Sequence, residues 1–149
     1  MKPVFQTLYG KPNGNCFQAC VASLLEVTLD DLPHFCRDFG TNWMAETNRW
    51  LNDHYGVCLL SAPYDELTKW WVGMQGAWCI LNGKNPLGIQ HSVVGQVRCD
   101  EAGWQDLVVV HNPNDNPDRH IVKVASVDFL ILARGPKAER RVKAAEGER

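Results

Sequence analysis

Apolar residues near the start of the chain recur at the spacing of an α-helix. After Asn15 they lie three and four residues apart, at Phe17, Cys20, Val21, Leu24 and Leu25. This pattern predicts a helix over about residues 15–27. Small residues fill the remaining positions, so we expect the helix to be central and buried on nearly all sides.

Other segments of the first half also carry helical signals. The sequence predicts a short helical turn over residues 28–33 and a helix over 42–55 that ends at Gly56, since glycine commonly follows a helix C-terminus. A further helix is predicted over 63–72, with its inward positions at Tyr64, Leu67 and Trp71.

The pattern then changes to short apolar runs separated by turn residues. These runs predict strands over about residues 57–60, 77–81, 90–97, 107–111, 121–124 and 127–132. Helices followed by strands with short connections are typical of the α+β class with a mainly antiparallel sheet. We therefore predict that N-terminal helices pack on such a sheet in a single domain over residues 1–133.

Composition and charge narrow the class of partner. The chain has 149 residues and a net charge of −2, which disfavours a nucleic-acid partner. Basic residues concentrate in 134–149, which we predict to be a charged tail, either a solvated helix or disordered. No apolar run is long enough for a signal peptide or a membrane span, so no membrane partner and a cytoplasmic location are expected.

The cysteine pattern argues against disulfides and metal. Six cysteines lie at positions 16, 20, 36, 58, 79 and 99 without any Cys-x-x-Cys pair, so we expect reduced thiols, no metal site and no cofactor. Cys58, Cys79 and Cys99 lie in or beside apolar segments and are predicted to be small buried hydrophobic residues.

One cysteine is placed for chemistry. A turn rich in Pro, Gly and Asn delivers Cys16 to the first turn of the predicted central helix, where backbone N–H groups and the helix dipole stabilise a thiolate. This position predicts a lowered thiol pKa and a nucleophile. Cys20 is the competing candidate, but it lies one turn inside the apolar stripe, where burial raises a thiol pKa.

A histidine and an asparagine on two later strands complete a triad. His91 begins the run at 90–97, and Asn112 follows the run at 107–111. If these strands form a hairpin, the Asn112 amide oxygen lies beside His91 and accepts the Nδ1–H, which fixes the ring for general-base catalysis. Asp115 and His111 are the alternatives for the orienting role.

Three short blocks resemble a known family. The segment Asn-Cys-Phe-Gln-Ala-Cys-Val at 15–21 resembles the Asp-Cys-Gly-x-Ala-Cys-Leu start of the bacteriocin-processing (double-glycine leader) peptidase domain of ABC exporters. His-Ser-Val-Val at 91–94 is similar to its His-Phe/Tyr-Val-Val block, and Asn-Pro at 112–113 takes the place of its Asp-Pro. Together they resemble the papain-like cysteine peptidase superfamily, including small single-domain members from bacteria and phages.

The resemblance implies a papain-like fold, a Cys16–His91–Asn112 catalytic triad, and an oxyanion hole made by the Cys16 backbone N–H and an upstream glutamine. Gln6 is the only glutamine before Cys16, and it lies farther upstream than in that family. The expected activity is peptidase or amidase chemistry through a thioester, with a peptide or protein as substrate.

Two other interpretations stay open. The same triad serves an acyltransferase or a deamidase if an acceptor other than water resolves the thioester. A non-catalytic peptide-binding module on the same fold is the alternative from a different class. Six tryptophans, at 43, 50, 70, 71, 78 and 104, would supply its aromatic surface.

Overall fold

The structure of the protein, a computed structural model, describes residues 1–65 and 67–133. The predicted tail at 134–149 lies outside the described residues. Within the described residues, three α-helices and five strands confirm the α+β class. The helices are α1 (Cys16–Leu25), α2 (Phe35–Asp38) and α3 (Trp43–Tyr55), and the strands are β1 (Val57–Pro63), β2 (Trp78–Lys84), β3 (Gln90–Cys99), β4 (Gln105–His111) and β5 (Lys123–Leu132).

All five strands form one antiparallel sheet in the order β1-β5-β2-β3-β4. The two strands predicted over 121–124 and 127–132 are a single strand, β5, which lies between β1 and β2. Its register against β2 shifts between Asn82 and Gly83. At Gly83 an added Cβ would lie 2.0 Å from the Lys123 carbonyl oxygen, so only glycine allows the two backbones to approach here.

Each face of the sheet has its own apolar core. The helices cover one face, where α1, α2 and α3 contribute Phe17, Val21, Phe35 and Leu51 against Leu59, Ile80 and Val94 of the sheet. The other face is covered by the connection between β1 and β2, whose Trp71 packs with Val93, Val127 and Phe129. The helical face is the one that positions the site described below.

The helix predicted over 63–72 is wrong. The described part of this connection consists of turns, and Lys69 has a backbone φ of 37°, a left-handed conformation that interrupts an α-helix. Trp71 is buried as predicted and stacks on Tyr64 with ring centroids 5.3 Å apart, but Leu67 is 95% exposed. The spacing of Tyr64 and Trp71 matches that of a helix, but it arises because both aromatic side chains pack on the sheet.

The remaining helix predictions are confirmed with small shifts of their ends. α1 begins at Cys16, and α3 ends at Gly56, which has φ 68° as expected for a residue that terminates a helix. None of the helices within 1–65 and 67–133 is sufficiently long and apolar to cross a membrane.

Candidate active site

Cys16 is the first residue of α1 and opens onto a cavity of about 940 Å³. Gln6, His91 and Ser92 line the same cavity. These residues come from the N-terminal segment, the helix start and β3, so the fold brings together groups that are far apart in sequence.

The sequence predicted that the helix N-terminus lowers the pKa of the Cys16 thiol, but this pKa is raised. Burial raises the pKa of Cys16 above its ordinary value, whereas hydrogen bonds from the backbone and hydroxyl of Ser92 lower it. The N–H groups of Phe17 and Cys16 also lower this pKa, so the predicted stabilisation at the helix start exists but is outweighed. At rest Cys16 is therefore a neutral thiol.

The hairpin that was predicted to carry the base and its orienting residue is confirmed. β3 and β4 pair antiparallel with Val94 opposite His111, which places Asn112 beside His91. The Asn112 Oδ1 lies 2.8 Å from Nε2 of His91. The prediction that Asn112 accepts the Nδ1–H of His91 was wrong. The imidazole ring turns its Nε2 toward Asn112 instead.

The orientation of the Asn112 amide is fixed by the backbone around it. Its Oδ1 also accepts the N–H of Asn114 at 3.0 Å, and its Nδ2 donates to the Arg119 carbonyl at 3.4 Å. Since a backbone N–H only donates, the oxygen must face Asn114 and His91. His91 therefore carries its proton on Nε2, and Nδ1 keeps the lone pair of a base.

The electrostatics of His91 favour its neutral form. Burial lowers the pKa of His91, and the hydrogen bond to Asn112 raises it by a smaller amount. His91 and Cys16 line the same cavity, and the directions of both pKa shifts favour the neutral imidazole and the neutral thiol.

His111 and Asp115 were the alternative candidates for orienting His91, and each has a different position in the structure. His111 is buried and its Nε2 lies 2.9 Å from the Val4 carbonyl oxygen, so it fastens the N-terminal segment to the end of β4. Asp115 is exposed in the loop after Asn112, where it lines the cavity.

Gln6 reaches the cavity in spite of its distance in sequence from Cys16. The chain between them folds back on itself, with the Asn15 N–H donating to the Leu8 carbonyl at 3.2 Å. Gln6 is buried at 6% exposure, its N–H bonds to the Pro113 carbonyl, and its Nε2 donates to the Leu8 carbonyl at 3.0 Å. Its Oε1 is buried and has no hydrogen-bond partner among the described residues.

Asn15 holds this arrangement together and was not recognised in the sequence as a positioning residue. Its Oδ1 accepts the N–H groups of Thr7 and Leu8 at 3.1 and 2.9 Å, and its Nδ2 donates to Gln18 Oε1 at 3.2 Å. It therefore joins the segment that carries Gln6 to the start of α1. Its position immediately before the cysteine was the only signal in the sequence.

The other cysteines differ from Cys16. Cys20 is fully buried and burial raises its pKa well above the ordinary value, which makes it a packing residue. Cys79 is buried as predicted, whereas Cys58 is half-buried and Cys99 is exposed, because Cys99 ends the β3 strand at the hairpin turn. Cys36 is exposed and lines the cavity, and burial of its thiol group raises its pKa to about 11.

All six cysteines are free. Within the part of the chain that the structure describes, no three His, Cys, Asp or Glu side chains are grouped to hold a metal ion.

Comparison of the chain with protein-family models, with curated proteins and with solved structures finds no match.

Proposed function

We propose that the protein is a cysteine hydrolase, a peptidase or amidase that acts through Cys16, His91 and Asn112. The observation that carries the proposal is the hydrogen bond between Asn112 and His91, oriented by the Asn114 N–H, on the wall of the cavity that also contains Cys16. An imidazole with a fixed tautomer and a helix-terminal cysteine in one cavity are the two groups that nucleophilic catalysis requires.

The reaction follows from the protonation states of the two groups. His91 Nδ1 takes the proton of the Cys16 thiol as the sulfur attacks the substrate carbonyl, and the proton then passes to the leaving amine. The acyl group remains on Cys16 as a thioester until water, activated by the same nitrogen, hydrolyses it to an acid and regenerates the thiol.

The oxyanion formed during attack has two candidate donors. One is the Cys16 backbone N–H at the start of α1, where the positive end of the helix dipole adds to its effect. The other is Gln6 Nε2, which lines the cavity and uses one of its two hydrogens on the Leu8 carbonyl. Each donor of this kind contributes about 3 kcal/mol to transition-state stabilisation.

The raised thiol pKa and the lowered imidazole pKa favour general-base catalysis over a preformed ion pair. In apo structures the hydrogen bond between nucleophile and base is often not yet formed, and here the sulfur contacts Ser92.

The papain-like fold and the likeness to bacteriocin-processing peptidases belong to this proposal. They are supported by the packing of α1, with the cysteine at its N-terminus, against a sheet that carries the histidine and the asparagine. A cytoplasmic location is also proposed, and it is supported by the six free cysteines. The proposed substrate is a peptide or protein.

The proposal is tested by acylation with an activated ester. The protein is mixed with p-nitrophenyl acetate, nitrophenol release is followed, and intact-mass and peptide mass spectrometry locate the acetyl group. We expect an initial burst and a thioester on Cys16, with loss of both in Cys16→Ala and His91→Ala. Cys36→Ala is the matched control, because Cys36 lies in the same cavity and is more exposed but does not begin the central helix α1.

Acetylation of Cys36 at the rate of Cys16, or equal rates in wild type and His91→Ala, would contradict the proposal and favour a non-catalytic binding module. Once acylation is established, resolution of the thioester by an added amine faster than by water would assign the same triad to a transferase.

A further inference from the structure

A row of polar side chains crosses the helical face of the sheet and borders the cavity. The register places Ser61 of β1 opposite Asp128 of β5, and Asn82 of β2 opposite both Ser126 of β5 and Ser92 of β3. All five side chains line the cavity that contains Cys16. Sheet faces covered by helices are ordinarily apolar, so a polar row here indicates a surface that a ligand contacts.

Short hydrogen bonds join this row to the nucleophile. Asn82 Nδ2 donates to Asp128 Oδ2 at 2.7 Å, and the Ser92 hydroxyl donates to Asn82 Oδ1 at 2.7 Å. Ser92 in turn contacts the sulfur of Cys16. The row therefore begins beside the reacting sulfur and ends at the carboxyl group of Asp128.

Asp128 is buried without a compensating charge. It is 1% exposed, and its partners are the neutral side chains of Asn82 and Ser61. No Lys, Arg or His within residues 1–65 and 67–133 forms a salt bridge with it. Burial without a counter-charge is unfavourable for a carboxylate, and burial accordingly raises the pKa of Asp128.

The carboxylate also has unused hydrogen-bonding capacity. Two carboxylate oxygens accept about four hydrogen bonds in total, and Asn82 and Ser61 use two of these positions. The distance from β3 to β5 is two strand spacings, about 10 Å. A long basic side chain that flanks the attacked carbonyl can span this separation.

We infer that Asp128 is the recognition residue for a guanidinium or alkylammonium group of the substrate, held at the end of the polar row from Ser92 through Asn82. This inference rests on the proposed function, because it assigns a substrate class to the same cavity. The bound cation supplies the counter-charge that the fold leaves out. Hydrogen bonds between charged groups are the stronger ones, so the cation contributes to both affinity and orientation.

The test measures binding in Cys16→Ala, which cannot turn over, so its result is independent of hydrolysis. Nα-acetyl-arginine amide and its uncharged isostere Nα-acetyl-citrulline amide are titrated into the protein and followed by NMR chemical shifts. We expect the arginine amide to bind about tenfold more tightly or better. Asp128→Asn should abolish this preference, and Asp115→Asn, which removes an exposed carboxylate of the same cavity, should retain it.

A second variant keeps the test decisive if Asp128→Asn does not fold. Ser126 is half-buried, lines the cavity and contacts Asn82 at 3.4 Å, so Ser126→Lys introduces an internal cation near Asp128. It should remove the preference for arginine, whereas Ser126→Gln, a neutral change of comparable size, should not. Equal affinities of the two amides, binding of neither, or a preference that persists in Asp128→Asn would overturn the inference.

Discussion

Removal of the Asn112 side chain tests the site most directly. Asn112 Oδ1 is 2.8 Å from His91 Nε2, and His91 is buried, so water does not readily replace the amide in Asn112→Ala. In the proposed reaction His91 becomes an imidazolium in the transition state, and a hydrogen bond to a charged group contributes about 1.5–3 kcal/mol. The maximal kcat/KM should therefore fall about 10- to 150-fold.

The pH dependence supplies a second and independent readout. The lowered pKa of His91 predicts an acidic limb of kcat/KM below pH 6.5, because the imidazole must be neutral to act as a base. The Asn112 hydrogen bond raises this pKa, so its loss should shift the limb to still lower pH while the plateau falls. Asn112→Asp adds a negative charge beside the ring and should shift the limb to higher pH and restore the plateau in part.

The assay is hydrolysis of the activated ester over a range of pH, together with ¹⁵N shifts of the His91 ring, which report its tautomer. Asn116→Ala is the control, since Asn116 lies in the same loop and its side chain bonds the Asp118 N–H. A plateau that changes less than about twofold in Asn112→Ala, with the tautomer unchanged, would refute the role assigned to Asn112.

Three further predictions follow from single contacts. Gln6→Ala should lower the acylation rate about 10²- to 10³-fold, and Gln6→Glu should not restore it, because a carboxylate has no N–H to donate; an unchanged rate would exclude Gln6 from the oxyanion hole. Asn15→Ala should lower the free energy of unfolding in urea by about 1–3 kcal/mol, because it removes the bonds to Thr7 and Leu8, and a loss below about 0.5 kcal/mol would contradict this. Gly83→Ala should prevent folding as judged by circular dichroism, or destabilise by more than about 4 kcal/mol, whereas Gly88→Ala, where the added Cβ meets open space and only the left-handed backbone (φ 71°) is strained, should fold with a loss of about 1–2 kcal/mol.

The sequence predicted those parts of the site that depend on neighbouring elements. A hairpin needs only two apolar runs and a turn, so the proximity of His91 and Asn112 followed from local patterns. The start of α1 at Cys16 was equally visible, since turn residues meet an apolar helical stripe there. Which nitrogen faces Asn112 was not predictable, because it depends on the approach of the ring in three dimensions.

The sequence did not predict the features that depend on several strands or helices at once. The polar row from Ser92 to Asp128 needs the registers of four strands, and in the sequence Asp128 is an isolated charge within an apolar run. The direction of the Cys16 pKa shift was also wrong, because the helix effect is local whereas the burial of the thiol is a property of the assembled cavity. Similarly, the helix over 63–72 was predicted wrongly because Trp71 and Tyr64 pack on strands that follow them in the sequence.

The position of β5 has a consequence for synthesis of the protein. Within the described residues this strand is the last element in chain order, but it lies inside the sheet and pairs with both β1 and β2. Before residues 123–132 have left the ribosome, β1 and β2 lack their common partner, and pairing of such distant segments is slow. Cys16, His91 and Asn112 all emerge earlier than Asp128. A nascent chain thus exposes Cys16, His91 and Asn112 before β5 can complete the sheet, and the proposed activity requires that β5 has been synthesised.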